Sequence, residues 1–295
     1  MSLNRRAFLG AAGGAALVLT GCGVPPVPGS PGAPGPSPEG PPSRTPAASP
    51  PPTFEPTTPS PIPTASPTPA PSLVGDTRNA WAFARLDAPD EIVVEGEVSS
   101  QRAWSTSKVL VVAAFLAGVL DGDPDRATAT QRRQMIRSFT ESDMDSVIAL
   151  GSAIPGGKQA GMSEILRSVG DTETSVPSRS EGTMSWKVRQ QVRFLVALHQ
   201  GRVVSPEASR FMLDQMHPIE SQSWGLGSVG ATAFKGGWLR ANTETRQMGI
   251  LDGFAVAIIT SGVGPAEVQS DGDSAHVRQM NRLAEQLRER LHQPG

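Results

Sequence analysis

Residues 104–120 read WSTSKVLVVAAFLAGVL, and the way this stretch folds decides how the rest of the chain is read. Two serines and a threonine open it, one lysine follows, and then twelve residues pass without a polar side chain. A segment that is apolar all round is a helix, or less readily a strand, buried on every face. The hydroxyl residues at its start suit a helix N-cap. In a helix, Ser105 and Lys108 stand three residues apart on one face. Lys108 is then the only charge entering a dry core. Burial favours its neutral amine, which makes a lysine a general base near neutral pH. A serine one turn away, at the positive end of the helix, is the group such a base activates. The same residues also admit a plainer reading, in which Ser105 caps a core helix and Lys108 snorkels to water.

Upstream of this helix, 79–86 (NAWAFARL) alternates, with Trp81 and Phe83 on one face, and 91–98 (EIVVEGEV) follows a Pro-Asp turn. This pattern predicts a hairpin. Downstream, the breaker cluster Asp121-Gly122-Asp123-Pro124 ends the helix. A helical pattern runs over 128–150, interrupted by the hydroxyl and acid patch Thr140-Glu141-Ser142-Asp143. Shorter helices are predicted over 162–169, 185–199 and from Ser205-Pro206 to Met216. Strands are predicted over 229–234, 245–251 and 254–260, the last two joined by the two-residue turn Asp252-Gly253. An amphipathic helix over 274–291 closes the chain. Strands, helices, strands and a last helix, in that order, imply an α+β fold in three layers. Its antiparallel sheet is built from both ends of the chain.

Residues 1–22 read as an export leader. Arg5-Arg6 precedes an apolar run that is too short to span a bilayer, as in a signal peptide of the twin-arginine type. The run closes on Leu19-Thr20-Gly21-Cys22, which resembles the lipobox of bacterial lipoproteins; in that class the cysteine carries lipid. Cys22 is the only cysteine, so no intramolecular disulfide can form. Residues 23–72 are Pro, Ser, Thr, Ala and Gly with almost nothing to bury, as in a disordered linker. At ~3.1 Å per residue, such a tether reaches on the order of 150 Å when extended. Residues 73–295 are domain-sized and contain no second linker.

The charges nearly balance, with a net charge of −2, so no nucleic-acid footprint is present. The four histidines are scattered without ligand-like spacing, and neither a metal nor another cofactor is expected. Residues 225–230 (GLGSVG) precede a strand and not a helix, which argues against a phosphate loop.

Taken with the order of elements, the motifs make residues 73–295 resemble the penicillin-binding protein and class A β-lactamase superfamily. Its Ser-x-x-Lys motif is matched by Ser105-Thr106-Ser107-Lys108. Its Ser-Asp-Asn motif is approached by Ser142-Asp143-Met144, and its Lys-Thr-Gly motif by Lys235-Gly236-Gly237. Of only four lysines, two fall at the motif positions. The absence of tyrosine leaves only the serine form of the second motif. The resemblance implies that Ser105 is the acylated nucleophile, Lys108 its base and Ser142 a proton relay. Lys235 would supply positive potential for a substrate carboxylate. The backbone N–H groups of Ser105 and Trp238 would form an oxyanion hole. Arg246 sits where some members place a carboxylate-binding arginine; an edge-strand surface arginine is the competing reading.

Three departures qualify this picture. Met144 replaces an asparagine that binds a substrate amide in relatives. Gly236 replaces a threonine whose hydroxyl holds the substrate carboxylate. The loop with the deacylating glutamate is reduced to Arg179-Ser180-Glu181, where Glu181 could position a water or simply be a solvated loop acid. Slow deacylation is therefore expected. The resemblance implies an exported, lipid-anchored monomer that faces the cell wall and acts on a β-lactam or a D-Ala-type peptidoglycan stem peptide. The alternative is a catalytically degenerate relative that binds the wall or a partner protein.

Overall fold

In the computed structural model the described residues are 69–238, 243–263 and 275–293. The expected leader, Cys22 and the linker as far as residue 68 lie outside them.

Five strands form one antiparallel sheet among the described residues. They are β1 (Asn79–Arg85), β2 (Val93–Glu95), β3 (Ala233–Trp238), β4 (Thr245–Leu251) and β5 (Phe254–Thr260), in the order β2-β1-β5-β4-β3. The two ends of the chain meet at the β1–β5 seam, where the register runs from Asn79 opposite Thr260 to Arg85 opposite Phe254. Side chains alternate across the sheet. Trp81, Phe83, Val256 and Ile258 point into one core, whereas Ala80, Ala82, Ala84, Ala255, Ala257 and Ile259 belong to the other. The bulky face is covered by α7 (Ala275–His292) through Val277, Met280, Leu283, Ala284 and Leu287. The face of small residues lets α5 (Val188–His199) lie close against β1 and β5. Helix, sheet and helix make three layers.

The segment at the centre of the helical layer is α1 (Lys108–Leu120), surrounded by α2 (Ala129–Thr140), α3 (Met144–Ala153), α4 (Lys158–Ser168) and α6 (Pro206–Gln215). From Val109 to Leu116 no residue is more than 2 % exposed. Only the last turn, at Ala117 and Gly118, reaches the surface.

Several elements depart from the sequence pattern for local reasons. The pattern over 128–150 is two helices, because Ser142 adopts a left-handed conformation (φ 58°) and Asp143 then caps α3 by accepting from the Ser146 backbone amide at 2.8 Å. The strand expected over 229–234 starts at Ala233 and runs on through the lysine motif; Gly225–Val229 is a 3₁₀ turn instead. The predicted strand over 91–98 shrinks to three residues at a sheet edge, with Val93 and Val94 exposed. Helix α4 begins four residues earlier than predicted, after two glycines at positive φ. The Asp252-Gly253 turn forms as expected, with φ of 49° and 80° as a tight hairpin requires.

Because α1 is packed on every side over two turns, truncating it leaves a void that neighbours on four helices cannot fill. Phe115→Ala is expected to cost about 3–5 kcal/mol, measured as the shift in urea-unfolding free energy.

Candidate active site

Trp104–Ser107 is a turn of 3₁₀ helix that runs into α1. The hydroxyls expected to cap the helix do otherwise. Thr106 Oγ1 donates to the Ala103 carbonyl at 2.5 Å, and Ser107 Oγ donates to the Trp104 carbonyl at 2.7 Å. Both are thereby committed to the backbone, and of the three hydroxyls in this turn only that of Ser105 meets Lys108. Trp104, just before it, has a φ of 45°, a costly backbone for a residue with a Cβ. Such strain is held only by dense surroundings and is common beside reacting groups.

Four side chains from three separate segments converge at this turn. Lys108 Nζ lies 3.2 Å from Ser105 Oγ and 3.2 Å from Ser142 Oγ, and it donates to the Ser142 carbonyl at 2.5 Å. Lys235 Nζ, on edge strand β3, lies 3.0 Å from the same Ser142 Oγ and donates to the Gly236 carbonyl at 2.9 Å. The left-handed bend at Ser142 therefore presents its hydroxyl and carbonyl together to the first amine, and its hydroxyl to both.

The electrostatics follow from dryness. Lys108 is 3 % exposed, and burial brings its amine down to about 8, against an opposing pull from the Glu181 and Asp143 carboxylates. Lys235 is fully buried; burial first, and then the neighbouring Lys108 amine, push it well below the ordinary lysine range. The resting positive charge expected at Lys235 is therefore opposed by its own surroundings. Hydrogen bonding from Ser146 holds the Asp143 carboxyl below the usual range, so it stays ionised beside the pair.

Strand β3 runs directly against the serine turn. A Cβ at Gly237 would stand 2.8 Å from the Ala103 carbonyl oxygen and 2.9 Å from the backbone nitrogens of Ser105 and Thr106. Only glycine allows the strand to approach the turn this closely. At Gly236, the place of the motif's threonine, a Cβ would lie 2.9 Å from the Trp238 ring. The indole of Trp238 folds back over that position and packs against Trp224, with ring centroids 5.1 Å apart, in the core beneath α7. Trp238 is therefore no wall of the cleft; only its backbone lies along the motif. Met144, in the first turn of α3, is 53 % exposed, as is Ile148 one turn on at 55 %.

Two residues sit otherwise than the sequence suggested. Arg246 on β4 is neither a surface arginine nor open to a substrate carboxylate. It is fully buried and donates to the carbonyls of Gln101 and Arg102 at 2.8 and 3.0 Å and to Gln191 Oε1 at 2.5 Å. Gln191, on α5, donates in turn to Thr106 Oγ1 at 2.8 Å. This chain of contacts ties the loop before Ser105 to the sheet and to α5. Glu181 is not a solvated acid either. It is 7 % exposed and paired with Lys158 at 2.6 Å. The next residue, Gly182, abuts the backbone of Trp104. Gln191 and Lys158 were missed. Gln191 falls on the apolar face of α5, between Val188 and Leu195, and that is the signal that could have found the first; Lys158 carries no local signal.

No family model and no curated protein sequence matches this chain. Solved structures do. PBP-A is similar with a TM-score of 0.53 at 20 % identity, over 72 % of this chain and 89 % of that one. The TLA-1 extended-spectrum β-lactamase is similar with a TM-score of 0.56 at 15 % identity, over 74 % and 94 %. A β-lactamase from Chitinophaga pinensis gives 0.53 at 16 % identity, over 70 % and 92 %. The described residues thus have the β-lactamase and penicillin-binding-protein fold.

The contact at Gly237 yields a direct test of how tightly strand and turn are joined. Gly237→Ala puts a methyl against backbone that cannot turn aside, so it should destabilise the domain by about 1–3 kcal/mol in chemical unfolding.

Proposed function

We propose that this chain is a cell-surface lipoprotein whose folded domain is a serine acyl enzyme, with Ser105 as nucleophile and Lys108 as base. It acts on a β-lactam or a D-Ala-type peptide of the cell wall. One observation carries the reading: a largely dry amine, a serine hydroxyl, a second serine hydroxyl and a second amine lie in one unbroken set of 3.0–3.2 Å contacts. That set can move a proton from an attacking oxygen to a leaving nitrogen. Likeness of fold supports the class of chemistry, and a mutant of PBP-A is known as an acyl-enzyme complex with penicillin G.

In this mechanism the Ser105 proton passes to Lys108 Nζ as Oγ bonds to the carbonyl carbon. The backbone N–H groups of Ser105 and Trp238 receive the developing oxyanion. Ser142 Oγ hands its proton to the departing nitrogen and is reprotonated from Lys108. Lys235 backs that transfer through its own contact with Ser142. A substrate carboxylate arriving nearby would favour its protonated form. Arg246 and Gln191 hold the serine turn in place and do not touch substrate. Cys22, lipidated after leader removal, would anchor the chain on the outer face of the cytoplasmic membrane, and residues 23–72 would carry the domain into the wall.

Met144 and Gly236 favour a second reading, a binding lipoprotein of degenerate site, because each removes a polar group that relatives direct at substrate. Covalent labelling by a fluorescent penicillin separates the two. The wild-type chain is expected to take the label, and Ser105→Ala to take none. Label persisting in Ser105→Ala rejects the nucleophile, whereas unlabelled, folded protein with saturable binding to purified peptidoglycan supports the second reading.

The reaction should also depend on pH. The amine must be neutral to accept a proton, and it is centred at about 8. The labelling rate should therefore climb about tenfold between pH 6 and pH 7, bend near 8 and level above it. Stopped-flow acylation across that range measures it.

A further inference from the structure

The ion pair between Lys158 and Glu181 is built into the site without taking part in acylation, and the role assigned to it rests on the acyl-enzyme reading. Lys158 is the first residue of α4. Its stem crosses Gly151 of α3, where a Cβ would stand 2.8 Å from Lys158 Cδ; the missing side chain there opens the passage. The ammonium then reaches Glu181 Oε2 at 2.6 Å, with both partners largely shielded from water. Glu181 opens the turn Glu181–Thr183, in which a Cβ at Gly182 would stand 3.2 Å from the backbone of Trp104, next to Ser105. The Glu181 carboxylate is also felt by the Lys108 amine. An acid is thus within electrostatic reach of the reacting centre, yet one of its oxygens is engaged by a cation from another helix.

We propose that Lys158 is a positioning residue that holds the Glu181 carboxylate away from hydrolytic work, so that an acyl group on Ser105 persists. The step it suppresses is ester hydrolysis. A water oxygen bonds to the acyl carbon while its proton passes to Glu181. The bond from that carbon to Ser105 Oγ then breaks, and Oγ regains a proton. One ester and one water give one acid and the free serine. On this proposal the bond from Lys158 to Oε2 keeps the carboxylate from swinging round to take that proton.

The test uses the purified chain acylated by fluorescent penicillin, freed of excess reagent and followed for loss of label. Lys158→Met keeps the stem over Gly151 and removes the charge. Its label is expected to leave about a hundredfold faster than from wild type, the low end of general-base effects. Lys158→Arg should hold the label as long as wild type. Glu181→Gln, which breaks the pair from the other side without supplying a base, should hold it too, as should Lys158→Met combined with Glu181→Gln. Mere loosening of the turn would speed both single variants, so fast loss from Glu181→Gln overturns the proposal. So does unchanged loss from Lys158→Met, while leaving acylation at Ser105 standing. Should Lys158→Met fail to fold, Lys158→Gln is read in its place by the same criteria. A wild-type chain that never takes label overturns the acyl-enzyme reading, and this one with it.

Discussion

The amine of Lys108 sits where water does not go. It occupies the first turn of a helix whose next eight residues are buried almost completely, and it is kept there by a carbonyl and two hydroxyls. A charged lysine in such a place is disfavoured, and burial favours the neutral form, the form the proposed chemistry needs. The rest of the helical layer serves that dryness. Four helices enclose α1, and the break between α2 and α3 at Ser142 supplies the polar partners that keep the amine from being an unsatisfied donor.

The second constraint is closeness. Strand β3 approaches the serine turn so nearly that no side chain fits between them at Gly237. The strand delivers Lys235 to Ser142 on one side and the Trp238 backbone on the other. The glycine at 236 and the placement of Trp238 belong together, since the indole occupies the space a larger residue there would need. The core beneath α7 gains an aromatic contact from it. Met144 and Ile148, one turn apart on α3, form an exposed apolar pair.

How much of this was legible in the sequence depended on range. Contacts set within one turn could be read: the three-residue spacing of Ser105 and Lys108, the Asp252-Gly253 hairpin, and the cap at Ser205, whose hydroxyl accepts from the Ala208 amide at 2.9 Å. The patch at 140–143 stood out as polar inside a helical pattern, but its left-handed bend did not. Long-range contacts could not be read. Arg246 is 145 residues from Gln101, whose carbonyl it binds, and Glu181 is 23 residues from Lys158. An arginine on a strand and an acid in a loop look like surface residues until the neighbours that bury them are known.

The sequence by itself determined the run of apolar residues that must be buried, the positions of the serines and lysines along the chain, and the order of strands and helices that lets both ends share one sheet. These follow from periodicity and local chemistry, which act over a few residues. Only the tertiary structure decided that Lys108 and Lys235 meet at a single hydroxyl, that Arg246 braces the serine turn from within, and that Lys158 pairs with Glu181. Each of these rests on burial and distance between segments far apart in the chain, and those are properties of the packed molecule alone.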